Sequence, residues 1–477
     1  MERYIQGTDK RQTSLVPMCL DDMISPENPV RTIEAIVERM DIPKIGFLTD
    51  TKTTGRKPYK PVDMFKLYAY SYFNGIRSSR KIERECTRNI ELMWLMGNLT
   101  PHFKTIANFR KENKKAIEQA FRRFSLICDE LGLVGKEMVA VDGSKFRANN
   151  GRGAWYNKKK IANSLAYYRA SAEKYMQLLE SCDKEEDGGF DGHMTEEECR
   201  SKLEHIFSRI DELEKIEQQI EEHGEASLTD PDSRLMKMNN GGCGVCHNVQ
   251  IAVDSKHHLV VAMDVVSDPG DKQQLSHISG MAKEAMGVDK LISVADKGYY
   301  SAFEFAECEK ERIIPLVSKP DNEKSAVSKG YAKAQFHYDA EQDAHVCPQG
   351  HSLYGKVRRP SSKTPGIRYC NPPVCKNCLV KSRCTTDRYR CIFDRPFQRY
   401  ADEIDRNTKV NMPLYKKRQE LVEHPFGTVK SGLGFAQFLT RGTENVRTES
   451  LLHFLRYNLK RIINVLETKK LVEALQR

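Results

Sequence analysis

Two carboxylates in this chain stand in matching surroundings. Asp142 lies in VAVDGSKFRAN and Asp296 in LISVADKGYYS. Each follows a short apolar run of the kind that forms a buried strand, and each precedes a glycine within two residues. Both are therefore expected at strand ends, delivered into Gly-containing turns. A third carboxylate, Glu423, sits in YKKRQELVEHPFGTVK beside a cluster of basic residues. Two aspartates at strand ends and a distant glutamate supply hard oxygen donors for two divalent cations such as Mg²⁺, with water and phosphate filling the remaining positions. A metal pair of this kind activates a water or hydroxyl and stabilises the leaving oxygen of an in-line displacement at phosphorus. Asp254 and Asp264 also end apolar runs and compete for these roles, but the segments after them read as hairpin and connection chemistry.

The elements that must position these groups can be read from the patterning. A first strand falls within 136–150. HNVQIAVDSKHHLVVAMDVVSD reads as a hairpin, with Gln250–Asp254 and Leu259–Asp264 flanking a polar turn. Asp271 is expected to cap the helix KQQLSHISGMAKEAM. The strand ending at Asp296, the helix SAFEFAECEKE and the strand IIPLVS follow. Three strands, a helix, a strand, a helix and a strand make a mixed α/β layer, an order that can put Asp142 and Asp296 on adjacent central strands. Lys145, three residues after Asp142, is a candidate phosphate contact. Pro425 disfavours helical geometry at His424, so Glu423 is expected at a kink or a helix start. Lys430 would share a face with Glu423 in a continuous helix, and Tyr415, Arg418 and Lys430 are candidate phosphate contacts around it.

Residues 1–130 read as helical. MFKLYAYSYFNGI has helix-spaced apolar positions behind the turn-rich GRKPYKP. From Arg77 to Arg123 there are 12 Lys/Arg against 5 Asp/Glu, a local excess suited to a polyanion. Arg77, Arg80, Lys81 and Arg84 recur at helical spacing. Lys104, Arg110, Lys111, Lys114 and Lys115 follow in PHFKTIANFRKENKK, where Thr105 is a candidate cap. Two basic helices separated by a turn suit phosphate contacts and helix-turn-helix-like docking on DNA. From Lys158 to about Glu222 the apolar positions Ile161, Leu165, Tyr168, Ala172, Tyr175 and Leu179, then Leu203, Ile206, Ile210, Leu213, Ile216 and Ile220, describe an antiparallel coiled-coil hairpin. Thr195 and Glu198 form a capping box for its second helix, and DKEEDGGFDGH is an acidic turn between the two.

Composition narrows the function classes. The chain has 477 residues, enough for two or three domains, and a formal charge of +10. MERYIQGTDK lacks an apolar h-region, so no export signal is expected. No run of about 18 apolar residues occurs, so no membrane-spanning helix is expected either. The 14 cysteines are then expected as reduced thiols or metal ligands, not as a disulfide framework. Cys347, Cys370, Cys375, Cys378, Cys384 and Cys391 crowd into one stretch. Within it Cys347, Cys375, Cys378 and Cys384 are the expected tetrahedral ligands of a structural Zn²⁺, with His351 as a substitute. Basic residues from Lys356 to Arg359 and Lys381 to Arg390 surround them. Cys243 and Cys246 share the C-x₂-C spacing but have no second pair nearby.

Tyr415, Arg418, Glu423 and Lys430, preceded by VAVDGS and VADKGYYS, resemble the DDE transposases of bacterial insertion sequences whose glutamate region carries a Tyr–Arg–Glu–Lys signature. LDDMI, PVR, GRKPYKP, YFNGIRSSR and PHFKTIANFR resemble that family's N-terminal domain, and HNVQIAVD and RYNLKRI also fit. Arg418 and Glu423 stand one residue further apart here than in the usual signature. The resemblance implies a ribonuclease-H-like catalytic core and a catalytic, Mg²⁺-binding triad of Asp142, Asp296 and Glu423. It further implies two Mg²⁺ ions, with Mn²⁺ able to substitute, and a bacterial cytoplasmic, nucleoid-associated protein. The partner it implies is double-stranded DNA, both the element's terminal inverted repeats and the target, with a homodimer expected because two ends must be processed together. The expected organisation is a helical DNA-binding domain over 1–130 and core segments over 131–157, 236–320 and 396–477. A helical hairpin insertion occupies 158–235 and a Cys-rich insertion 321–395. A catalytically silent DNA-binding descendant and a structure-selective nuclease of the same fold are the alternatives.

Overall fold

The computed structural model describes residues 19–48, 57–182, 195–238, 241–320, 329–339, 341–357, 366–394 and 397–476. The acidic turn expected between the hairpin helices, and part of the basic run Lys356–Arg359, lie outside them.

The N-terminal region is helical: α1 (Pro29–Arg39), α2 (Ile42–Ile45), α3 (Pro61–Phe73), α4 (Ser79–Cys86), α5 (Ile90–Met96), α6 (Phe103–Glu112) and α7 (Lys114–Glu130). Prolines at the first turns of α1 and α3 fit there because that position needs no N–H partner. The two basic helices are α4 and α6, but α5 stands between them where only a turn was expected. Its apolar sequence IELMWLM buries Leu92, Leu95 and Met96. Thr105 lies inside α6, and His102 caps it by accepting the Lys104 N–H at Nδ1.

β1 (Met138–Arg147) follows, then β2 (Trp155–Asn157), α8 (Lys158–Cys182), α9 (Glu196–His223), β3 (Glu225–Ser227) and β4 (Arg234–Lys237). Helices α8 and α9 pack on each other as the apolar spacing requires, burying Ile161, Leu165, Leu213 and Ile220 in a cluster of their own. Thr195 and Glu198 form the expected capping box. The chain continues through β5 (Cys243–Asp254), β6 (Val260–Val266), α10 (Leu275–Met286), β7 (Leu291–Ala295), α11 (Ala302–Lys310) and β8 (Ile313–Val317). The main sheet runs β4-β5-β1-β7-β8, with β6 also paired to β5. β5 is antiparallel to β1, β4 and β6, whereas β1, β7 and β8 are parallel. This is a mixed α/β sheet of the order expected for a ribonuclease-H-like core, with β4 added at the edge.

The Cys-rich stretch forms a second sheet from β9 (His337–Asp339), β10 (Ala344–Val346), β11 (Ser352–Val357) and β12 (Ile367–Cys370). Two short helices, α12 (Pro372–Lys376) and α13 (Lys381–Cys384), precede its last strand, β13 (Cys391–Asp394). Helices α14 (Gln398–Val410), α15 (Met412–Gly427), α16 (Thr443–Leu466) and α17 (Thr468–Gln476) end the chain. α16 is buried along nearly its whole length and packs on α3, α7 and β6, while α17 packs on α1. The N-terminal helices and the main sheet therefore share one hydrophobic core. Among the described residues no helix is long and apolar enough to cross a membrane.

Candidate active site

Asp142 does not end its strand. β1 runs on through Gly143 to Arg147 because β5 pairs with it throughout, with Asp142 opposite Ile251 and Gly143 opposite Gln250. What ends beside Asp142 is the parallel partner. Val141 is the register partner of Ala295, the last residue of β7. The next residues along the two strands are Asp142 and Asp296, so the carboxylates project side by side where β1 outlasts β7. Asp296 caps a one-turn helix, Lys297–Tyr299, by accepting the Gly298 N–H at 2.7 Å. Asp142 accepts the Gly143 N–H at 2.9 Å.

Burial, and with it the negative charge of Asp296, pushes the Asp142 carboxyl up to about 6, against the Gly143 N–H and the Arg418 guanidinium. The Asp271 charge acts in the same raising direction. A carboxylate that resists ionisation chiefly because it is buried, and then because another carboxylate stands near it, is relieved by a cation held between the two. Hard oxygen donors suit Mg²⁺, so the donor chemistry fits the expected ion. Among the described residues, no three His, Cys, Asp or Glu side chains are gathered as a ready-made ligand set.

Glu423 lies in the body of α15, not at a kink or helix start. The helix runs through Pro425 because Leu421, Val422, Pro425 and Phe426 are buried together, an apolar gain that offsets the missing N–H. The disturbance appears downstream, where Thr428–Gly432 forms a π-turn and the Leu433 N–H reaches Thr428 O. Glu423 is exposed and accepts a hydrogen bond from Gln419 at 2.9 Å. Its helix packs on β1 and β7, the two strands that carry the aspartates.

Strand alternation sorts the neighbours of Asp142. Ser144 and Phe146 share its face. There the Lys430 ammonium donates to Ser144 Oγ at 2.6 Å and Lys145 O at 2.8 Å and lies over the Phe146 ring. Burial pulls the Lys430 ammonium below its ordinary range. Gly143 and Lys145 look to the opposite face, where Lys145 pairs with Asp271. Asp271 is not the cap of α10; Gln274 occupies that position. Its side chain is instead taken up by Lys145, Asn248 and Gln250, and it is the acidic neighbour of the site that its pre-helical position disguised. A Cβ on Gly143 would overlap the Gln250 amide and lie 2.7 Å from Asp271 Oδ1. Gly143→Ala is therefore expected to destabilise the fold by about 1–3 kcal/mol, read from the denaturant midpoint. An unchanged midpoint would show that this packing yields freely.

The other expected contacts fall into two groups. Arg80, Lys81 and Lys104 are exposed on α4 and α6, with Arg80 over the Phe103 ring. Arg77 and Arg110 are drawn inward: Arg77 donates to Gln437 O and faces buried Glu449 at 3.8 Å, and Arg110 donates to the Tyr72 hydroxyl. Tyr415 packs against the core, while Arg418 is close enough to act on Asp142. The competitor aspartates have structural partners. Asp254 accepts the N–H groups of Gly135 and Lys256, and Asp264 pairs with His277 and Arg447.

Cys347, Cys375, Cys378, Cys384 and His351 line one cavity of about 30 Å³. Burial and then the neighbouring thiols push Cys375 and Cys384 up, though Arg390 and nearby backbone N–H groups pull the other way. Cys370 and Cys391 stand apart as cross-strand partners, with Arg368 donating to Cys391. Cys243 and Cys246 lie on one strand at an odd separation, so they face opposite sides, one exposed and one buried.

Residues 18–112 match the family model of a transposase domain (DUF772), and residues 346–463 match that of a transposase DDE domain. The second match spans Glu423 and the Cys-rich stretch, while Asp142 and Asp296 lie before it. The two matches fall on the N-terminal helices and on the C-terminal third of the chain. No curated protein matches it. A cryo-EM structure of a piggyBac transposase synaptic complex with hairpin DNA is similar over 94% of this chain and 79% of that one, at 9% identity and a TM-score of 0.31. That likeness is too slight to build on.

Proposed function

We propose that this chain is the transposase of an insertion sequence, binding the element's terminal inverted repeats, cutting DNA at its ends and joining them to target DNA. The observation that carries the reading is the register of β1 and β7, which sets Asp142 beside Asp296, together with a transposase DDE domain match that contains Glu423. Asp142 and Asp296 would hold the cations, and Glu423 would complete the ligand set from α15. When bound, two Mg²⁺ ions, with Mn²⁺ able to take their place, supply an activated water and neutralise charge on the leaving oxygen. The Arg418 guanidinium, already close to Asp142, meets the phosphate. The same site then serves strand transfer, with the freed 3′-hydroxyl in place of water. Arg80, Lys81 and Lys104 present an exposed basic surface to the duplex backbone, and a homodimer brings two ends together.

The test supplies a duplex carrying the element's end, a supercoiled target plasmid and Mg²⁺. The proposal expects cleavage at the end and a covalently joined product. Cleavage of unrelated DNA without joining would support the nuclease reading. End binding without cleavage would support the silent descendant.

On this reading Cys347, Cys375, Cys378 and Cys384, which line one cavity without being gathered as a ready-made ligand set, would close around a structural Zn²⁺ as its soft donors. The purified protein is expected to carry about one Zn²⁺ per chain, and Cys375→Ser or Cys378→Ser to lose it along with stability of the β9–β13 sheet. Elemental analysis and chelator-induced unfolding check this; zinc-free protein of unchanged stability would refute it.

A further inference from the structure

The polar network on the far face of the sheet takes no part in the reading above, yet it touches both aspartate-bearing segments. Asp271 Oδ1 is the meeting point of three strand side chains: Lys145 Nζ at 3.1 Å, Asn248 Nδ2 at 2.8 Å and Gln250 Nε2 at 2.8 Å. The amide oxygen of Gln250 accepts the Tyr299 hydroxyl. Tyr299 is wholly buried and closes the one-turn helix that Asp296 caps. Burial, then the charges of Asp271, Asp142 and Asp296, hold its phenol well above the ordinary range, so all three carboxylates are within electrostatic reach of it. A chain of hydrogen bonds therefore runs from Lys145, three residues past Asp142, through Asp271 and Gln250 to Tyr299, three residues past Asp296. It passes over Gly143, where the missing side chain leaves room for the Gln250 amide and the Asp271 carboxylate.

We infer that Asp271, Gln250 and Tyr299 are positioning residues that fix the spacing of Asp142 and Asp296 and so tune the fit of the cation site. The inference rests on the reading of that aspartate pair as a cation site. β1 and β7 pair only as far as Val141 and Ala295, so no backbone ladder between these two strands locks the aspartates themselves. The network supplies that tie from behind. Asp271 is held by an ammonium and two amides, a charge-assisted arrangement stiffer than neutral hydrogen bonds. The Tyr299 hydroxyl, once parted from Gln250, would be a buried group without a partner. Mg²⁺ demands near-ideal octahedral geometry at about 2.0–2.1 Å, so a small change in carboxylate spacing weakens it. Mn²⁺, larger and less strict in geometry, is less affected.

Tyr299→Phe removes one hydrogen bond and keeps the ring, and Asp271→Asn keeps the shape and removes the charge. For each, Mg²⁺ and Mn²⁺ affinities are measured by calorimetry, single-turnover cleavage of an end-bearing duplex is followed in either ion, and thermal unfolding is recorded. Mg²⁺ affinity is expected to fall roughly 10- to 100-fold, with cleavage falling alongside it and largely restored by Mn²⁺. The unfolding midpoint is expected to move by no more than about 4 °C. Unchanged Mg²⁺ affinity and cleavage would overturn the inference. So would an equal loss in both ions that tracks a collapse of the unfolding midpoint, which would mark a purely structural role. A wild-type protein that binds neither ion would remove the cation-site reading itself, and this inference with it, before any variant is compared.

Discussion

Asp142→Asn is expected to slow cation-dependent strand cleavage by on the order of 10³-fold, about 4 kcal/mol of barrier, while leaving DNA binding and folding in place. Asparagine keeps the shape and can still accept the Gly143 N–H, so the strand has no reason to move. A stability measurement separates the loss of a ligand from a loss of structure, because the sign is opposite. Burial and Asp296 hold the Asp142 carboxyl at about 6, above its unfolded value. The folded protein therefore binds the extra proton more tightly than the unfolded chain between about pH 4 and 6. Ionised Asp142 costs stability above that window, by up to about 3 kcal/mol, and the cost fades as pH falls through it. Cation-free Asp142→Asn protein should thus be more stable than wild type at pH 7.5, with the gap closing towards pH 4. An inactive variant that is also less stable at pH 7.5 would contradict this assignment.

Glu423→Gln is expected to cut cleavage by about 10²-fold or more, the scale seen when one charge-stabilising group is removed from an active site. Its effect on stability should stay within about 0.5 kcal/mol, because the side chain is exposed and glutamine can still accept from Gln419. Glu420, exposed on the same helix, is the control. Steady-state cleavage by Glu420→Gln protein should match wild type. If Glu420→Gln were inactive and Glu423→Gln active, the third carboxylate would be misassigned by one helical step. The irregular spacing between Arg418 and Glu423 makes that comparison worth the second variant.

The adjacency of the aspartate pair was legible in the sequence because its signal is local: two apolar runs of strand length, each leading into Asp, separated, once the helical hairpin of α8 and α9 with its flanking short strands is set aside, by a β-hairpin and a helix. That order admits few topologies, and the sheet has the one that brings the two strands together. The true extent of β1 was not legible. Whether a strand stops at a glycine depends on what pairs with it, and β5 pairs along all of β1. Asp271 looked like a helix cap because it stands just before α10, yet its partners Asn248 and Gln250 are 23 and 21 residues away and Lys145 is 126. Pro425 suggested a break, and burial of the apolar face of α15 overrode it. In the basic stretch, Arg77 and Arg110 carried the same local signature as Arg80 and Lys81. Their fate was decided by Gln437 and Glu449, 360 and 372 residues from Arg77, and by Tyr72, 38 residues from Arg110. Charge patterning shows where cations are, and only the tertiary fold shows which are already engaged.

The central claim is that cations held by Asp142 and Asp296 contact the scissile phosphate at an element end. The most direct measurement replaces one non-bridging oxygen of that phosphate by sulfur and compares cleavage in Mg²⁺ and in Mn²⁺. Sulfur is a poor ligand for Mg²⁺ and a better one for Mn²⁺. The expected result is a strong slowing in Mg²⁺ for one of the two sulfur diastereomers, with most of the rate recovered in Mn²⁺ and none of it in Asp142→Asn protein. Equal cleavage of the oxygen and sulfur substrates in Mg²⁺, or a defect that Mn²⁺ leaves untouched, would contradict the claim.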